Sequence, residues 1–294
     1  MSRIFNLRST VAASFAAIVA AMGVAPAEAA VVIAYPGFTG ACSGGGLTCV
    51  GSTTVTGGGA LRLTPAAFNQ AGAGYSTTAI ALGAGATFST TFQFLITGRG
   101  GIAPADGLTF VVAAATAGLG SLGGGLGYQG VPNSVAVEFD TFNNGEVGTS
   151  NHVGVDSNGV LANNGVSPYG VSNCTSNVGY VFGCMSNGDI WTATIDYDGS
   201  TNLLDVYVQD GASAVQHIIS GMSINISALL GTTTAFVGFT SATGGGFANH
   251  DILNWSLAND RSLGTPPGVP EPGSLALVGA GLLGAAWVRR RRNA

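Results

Sequence analysis

The stretch between residues 30 and 260 is predicted to fold as an all-β, two-sheet antiparallel sandwich of jelly-roll type. Three observations carry that prediction. Strand-length runs alternate apolar and polar side chains again and again, the period-2 signature of half-buried strands. No ten-residue stretch of this body shows the 3.6-residue period of a helix. Charged residues make up only 8% of the chain and glycine accounts for 48 of its 294 residues, which fits strands closed by tight turns. A body of roughly 230 residues forms one domain in a fold of this kind.

The elements follow in chain order. Residues 60–64 and 87–94 alternate, as do 108–113, 134–140, 152–155, 190–197, 203–208, 234–240 and 252–257. Asp198-Gly199 lies between two of these runs and marks a hairpin. Many strands with long glycine-rich connections argue for two packed sheets. Trp191, Trp255 and Phe92 are core candidates, whereas His217 and His250 read as solvated or loop histidines.

Both ends of the chain read as addresses. Arg3 and Arg8 precede an apolar run over residues 11–24, and Ala27-Glu28-Ala29 is a small-residue cleavage site. This order marks residues 1–29 as a secretory signal peptide, with the mature chain starting near Ala30. At the other end, residues 261–269 form a Pro/Gly-rich linker. Pro270-Glu271-Pro272 then precedes an apolar span over residues 275–288 and the arginines at 289–292. A helix over that span is about 20 Å long, short for a hydrocarbon core of about 30 Å, and the arginines place its end inside. Residues 270–294, with this short transmembrane helix, closely resemble the bacterial PEP-CTERM sorting signal. The resemblance implies a Gram-negative bacterium, a membrane sorting protease of the exosortase type as partner, and an extracellular or cell-surface destination after tail processing.

Charge narrows the partners. The chain has no lysine, and six of its nine arginines lie in the two addresses, leaving Arg62, Arg99 and Arg261 against twelve acids in the body. So acidic a body repels phosphate backbones, which argues against a nucleic-acid partner. The four cysteines fall into close pairs, Cys42 with Cys49 and Cys174 with Cys184, and an exported chain is expected to close both as disulfides.

The most informative stretch is VAVEFDTFNNGEVGTSNHVGVD, residues 135–156. Glu138 and Asp140 are two residues apart on one strand and point the same way, so they repel unless a cation lies between them. Asn144 and Glu146 in the following loop supply the oxygen donors that calcium takes. His152, at the start of the next strand, adds a nitrogen suited to a transition metal. The pattern predicts a metal-organised loop on a rigid sheet.

Along its body the chain resembles the L-type, or legume-type, lectins. The phrases that carry the resemblance are LRLTPAAFNQAGAGYST, DGLTFVV, LGGGLGYQG, VAVEFDTFNN, NHVGVD, WTATIDYDG and VGFTSATGGGFANHDILNWSL, in the family's order. It implies a concanavalin-like sandwich and a non-enzymatic, calcium-dependent carbohydrate-binding protein, with glycans or exopolysaccharide as ligand and a possible homodimer through the back sheet. It assigns Asp106 as the acid that accepts from sugar hydroxyls, after a cis Ala105-Asp106 peptide, and Gly124 and Gly125 as the loop whose N–H donates to the sugar. Asn144 binds both calcium and sugar, and Phe142 gives its carbonyl to calcium and its ring to the pyranose. The loop at 244–250, with Gly245 and Phe247, tunes specificity. Asp140 bridges two ions, with Glu138 and His152 on the side of a transition metal such as manganese. Glu146 stands where the family carries a shared aspartate. Two other readings stay open. One is a non-catalytic matrix or biofilm spacer. The other is a glycoside hydrolase of the same architecture, in which Asn143 occupies the place of the third acid of a Glu-x-Asp-x-x-Glu signature.

Overall fold

The predicted alternation resolves into two antiparallel sheets packed face to face. The computed structural model describes residues 31–83, 85–116, 118–145, 150–162, 169–170 and 184–259. The predicted signal peptide, linker and sorting segment, together with Glu146 and Cys174, lie outside the described residues. One sheet, the back sheet, runs in the order β14 (Gln216–Ser223), β13 (Leu203–Asp210), β12 (Trp191–Asp198), β7 (Phe88–Gly101), β16 (Gly246–Asn259), β4 (Leu61–Thr64) and β3 (Thr54–Val55), and β1 (Val31–Tyr35) also pairs with β16. The front sheet runs β11 (Tyr169–Gly170), β10 (His152–Ser157), β9 (Ser134–Asp140), β8 (Gly107–Ala113), β15 (Thr234–Ala242), β5 (Ala71–Ser76) and β2 (Leu47–Gly51), with β6 (Ile80–Ala81) against β15. β12 and β13 form the predicted hairpin, their last pair being Asp198 with Leu203.

The core lies between the sheets and is largely aromatic. Phe92, Phe94, Phe110, Phe139, Phe239, Trp191 and Trp255 are all buried in it. Phe92 meets Phe239 edge-on at 4.8 Å between ring centroids, and Phe239 meets Trp255 the same way at 4.9 Å, the geometry aromatic quadrupoles favour. Truncating one such ring to alanine costs about 3–5 kcal/mol. On the far side of the front sheet a smaller cluster, including Tyr75, Val111, Tyr128 and Ala136, packs under the 118–131 segment. That second layer explains why β8 and β9 are buried on both faces.

Two expectations need correction. The segment at 244–250 is mostly strand rather than loop, because β7 continues to Gly101 and its glycines pair with Gly246 and Phe247. As a result His250 is not a loop histidine. It alternates inward with Ala248 and Ile252 and is fully buried. His217 is partly exposed, 2.7 Å from Asp205 and stacked on Tyr207. Cys42 and Cys49 form the expected disulfide, and Cys184 is also disulfide-bonded. A five-residue helix, Ile226–Leu230, capped by the Asn225 side chain, was not foreseen. Among the described residues no helix is long and apolar enough to cross a membrane.

Candidate functional site

On β9, Val135, Val137 and Phe139 face the core, so Glu138 and Asp140 face the other way, and strand register sets their neighbours. Asp140 lies opposite His152 on β10 and opposite Gly107 on β8. Glu138, Asp140 and His152 are all buried, and each offers a ligand atom within 4.8 Å of the others. His152 Nε2 is 3.2 Å from Glu138 Oε1. Buried charge is costly unless compensated, and two carboxylates with an imidazole are a donor set that fits a divalent transition metal. Asp140 Oδ1 also accepts from the N–H of Phe142 at 2.6 Å, and the Asn144 side-chain amide donates to the Phe142 carbonyl at 3.3 Å. These bonds gather the carboxylate, carbonyl and amide oxygens of Asp140, Phe142 and Asn144 into one turn beside the cluster, a hard donor set of the kind calcium uses.

Next to this turn, further backbone and side-chain groups converge. The Ala105-Asp106 peptide is cis, as expected. Asp106 accepts at its carbonyl from the N–H and hydroxyl of Thr141, at 2.8 and 3.0 Å, and donates its own N–H to Ala242. Its carboxylate borders Gly123 and Gly244, since a Cβ added to either would lie 3.9 or 3.5 Å from Oδ2. Gly124 abuts the Asn144 side chain so closely that a Cβ would come within 2.5 Å of Asn144 Cγ. A side chain there would have to displace the Asn144 amide. Gly107 has φ +142°, and a Cβ would approach Asp140 Cα to 3.0 Å, so only glycine lets Asp106 and Asp140 come this near.

The end of β15 anchors these pieces. The Thr240 hydroxyl donates to the Leu126 carbonyl at 2.8 Å, and the Ser241 hydroxyl to that of Gly107 at 2.7 Å. Thr243 donates to Ala67 and accepts from the N–H of Gln70, while its carbonyl takes the Gly123 N–H at 3.0 Å. Asn151, also buried, donates to the Thr141 carbonyl and accepts from the N–H of Met185. Sequence reasoning passed over these supports, although the Thr-Ser-x-Thr run over residues 240–243 was visible as hydroxyls just ahead of three glycines.

The structure therefore brings Asp106, Gly124, Asn144, Phe142, Glu138, Asp140 and His152 to one end of the front sheet. Gly125 sits behind them, buried against Ser121 and Gln129. Gly244 rather than Gly245 borders Asp106; the Gly245 carbonyl accepts from Ile102. Phe247 turns elsewhere, its ring over Gly100 and edge-on to Phe68 at 4.7 Å.

Comparison with known proteins bears on this arrangement. The legume lectin domain matches residues 31–267, and the PEP-CTERM protein-sorting motif matches residues 268–292. The chain is 32% identical over 194 residues to the L-type lectin-domain containing receptor kinase VIII.1 of Arabidopsis thaliana, covering 63% of this chain and 26% of that protein. It is 29% identical over 189 residues to the lectin of Pisum sativum, covering 60% and 63%. It thus spans under two thirds of either relative. The metal-free form of lectin I-B4 from Griffonia simplicifolia superposes with a TM-score of 0.64 at 25% identity, over 78% of this chain and 99% of that one.

Proposed function

The chain belongs to the legume lectin domain family, and from that premise we propose that it is an exported, calcium-dependent carbohydrate-binding protein of the cell surface or matrix. The observation that carries the reading is the juxtaposition of the Asp106 carboxylate, Gly124 and Asn144 with the buried Glu138–Asp140–His152 cluster. Asp106 accepts from vicinal hydroxyls of a pyranose. Asn144 and the N–H of Gly124 donate to the same sugar, and the half-buried Phe142 ring covers its apolar face. Asp140, the Phe142 carbonyl and Asn144 would hold calcium, and Glu138, Asp140 and His152 a transition metal such as manganese. Bound cations would neutralise the buried carboxylates and stiffen the loop that presents Asn144 and Phe142. Glu146 is the further oxygen donor of that loop.

Binding without catalysis is supported by the same residues. Retaining hydrolysis needs two carboxyl groups about 5–5.5 Å apart on either side of the bond. Here Glu138 is buried against His152, and an amide, Asn143, stands in place of the third acid. The domain plan belongs to the proposal: signal peptide 1–29, sandwich 30–260, linker 261–269 and sorting segment 270–294. An exosortase-type protease would act on the last of these, and the exopolysaccharide outside the cell is the natural ligand pool.

The test is a glycan array probed with the protein in calcium and again after chelation. Signals that vanish on chelation support the reading and name the sugar class. Signals that persist refute the calcium dependence. A silent array from folded protein favours the spacer reading.

A further inference from the structure

His250 has no place in the site described above, yet a chain of hydroxyls ties its ring to that site. Its Nδ1 lies 2.7 Å from Thr64 Oγ1, and Thr64 Oγ1 lies 3.2 Å from Ser241 Oγ. Ser241 Oγ in turn lies 2.7 Å from the carbonyl oxygen of Gly107. The direction of the chain is forced. A carbonyl only accepts, so the single hydroxyl proton of Ser241 goes to Gly107. Ser241 Oγ therefore accepts from Thr64, which uses the one proton of Thr64, and Thr64 must accept from a protonated Nδ1. Nε2 remains a bare acceptor, and it is buried without a hydrogen-bond partner among the described residues.

A polar chain through an aromatic core is costly unless each link is satisfied, and packing alone would hold the sheets together. The chain does reach something specific. It starts on β16 and β4 of the back sheet, crosses to β15, and ends on Gly107, the residue after Asp106. The next residue of β15, Ala242, takes the Asp106 N–H at 3.1 Å. We infer that His250, locked as its Nδ1–H tautomer, is a positioning residue for Asp106: through Thr64 and Ser241 it pins Gly107 across the sandwich and so fixes where the Asp106 carboxylate stands beside Gly123 and Gly244. Burial holds the imidazole pKa down to about 3, so the donor stays neutral, in one tautomer, across the physiological range. The purpose of the relay rests on Asp106 being a sugar ligand, but the relay itself is testable without sugar.

The experiment is nitrogen-15 NMR of the histidine ring in the wild-type protein, followed by amide hydrogen exchange in three variants. The ring spectrum is expected to show Nδ1 protonated and Nε2 bare at pH 7, and the opposite tautomer would overturn the relay. Thr64→Val cuts the chain in the middle, His250→Phe removes the donor, and His250→Asn keeps a donor near the Nδ1 position. Thr64→Val and His250→Phe are expected to speed exchange at Asp106 and Thr141 roughly tenfold relative to Val206 at the far side of the back sheet, and His250→Asn to restore protection. Equal acceleration everywhere, or none, would overturn the positioning role. If these variants fail to fold, the wild-type tautomer still decides whether the relay exists. A silent glycan array beside a confirmed relay would defeat the lectin reading and leave the relay standing.

Discussion

The flank of the site made by β9 and β10 holds two carboxylates and an imidazole, all buried. The flank made by the end of β15 holds Thr240, Ser241 and Thr243, equally buried and neutral. The neutral flank satisfies its own hydrogen bonds: every hydroxyl there has a carbonyl to donate to. The ionisable flank concentrates charge that burial penalises, and a bound cation is the compensation its donor set suits. The lesson of the contrast is a division of labour. One side of the site is built by folding, and the other presents the donor set that an ion would complete.

Acid should break the neutral flank, and with the largest effect. His250 has a folded pKa near 3 against 6.5 for the free side chain, so the unfolded chain takes up this proton first as pH falls. The stabilisation from keeping the ring neutral is therefore complete above about pH 6.5 and is lost as pH drops toward 3, at about 1.4 kcal/mol per pH unit. Urea melts of wild type and His250→Asn at pH 7, 5.5 and 4 should show the steeper slope in wild type by that amount. Parallel slopes would mean that His250 takes up its proton freely in the folded state.

Asp140→Asn should break the other flank at neutral pH. It removes the carboxylate that lies opposite His152 and holds the Phe142 N–H, and calcium affinity should fall on the order of 100-fold by calorimetry. Hydrogen exchange should rise at β9 and β10 while the Gly123 and Asp106 amides on the β15 side keep their protection. Gly124→Ala sharpens the comparison with the smallest effect, because a methyl there meets the Asn144 amide where the two flanks touch. Sugar affinity should drop roughly tenfold with the melting temperature nearly unchanged, as expected for a surface change that displaces one ligand. Unchanged affinity would mean that Asn144 can move away without loss.

The ionisable flank was legible in the sequence, because Glu138 and Asp140 at i and i+2 must share a face and His152 opens the next strand. The aromatic core was legible for the same reason: Phe92, Trp191 and Trp255, the core candidates, sit in alternating runs and are buried. The neutral flank was not. Threonine and serine on a strand read as solvent-facing, and nothing in their spacing says that Ser241 points across the sandwich at Thr64. His250 was misread because Gly98, Gly100, Gly101 and Gly246 carry no apolar or polar phase, so the strand pairing that turns residue 250 inward leaves no mark on the alternation. The extent of β7 past residue 94 was hidden by the same glycines.

The central claim is that the two flanks together form one cation-dependent sugar site around Asp106. The most direct measurement is calorimetric titration of the best array glycan into wild type with calcium, after chelation, after calcium is restored, and into Asp106→Asn. The account predicts binding that disappears on chelation, returns with calcium, and is absent from Asp106→Asn even though its melting curve matches wild type. Binding that survives chelation, or that Asp106→Asn retains in full, would contradict it.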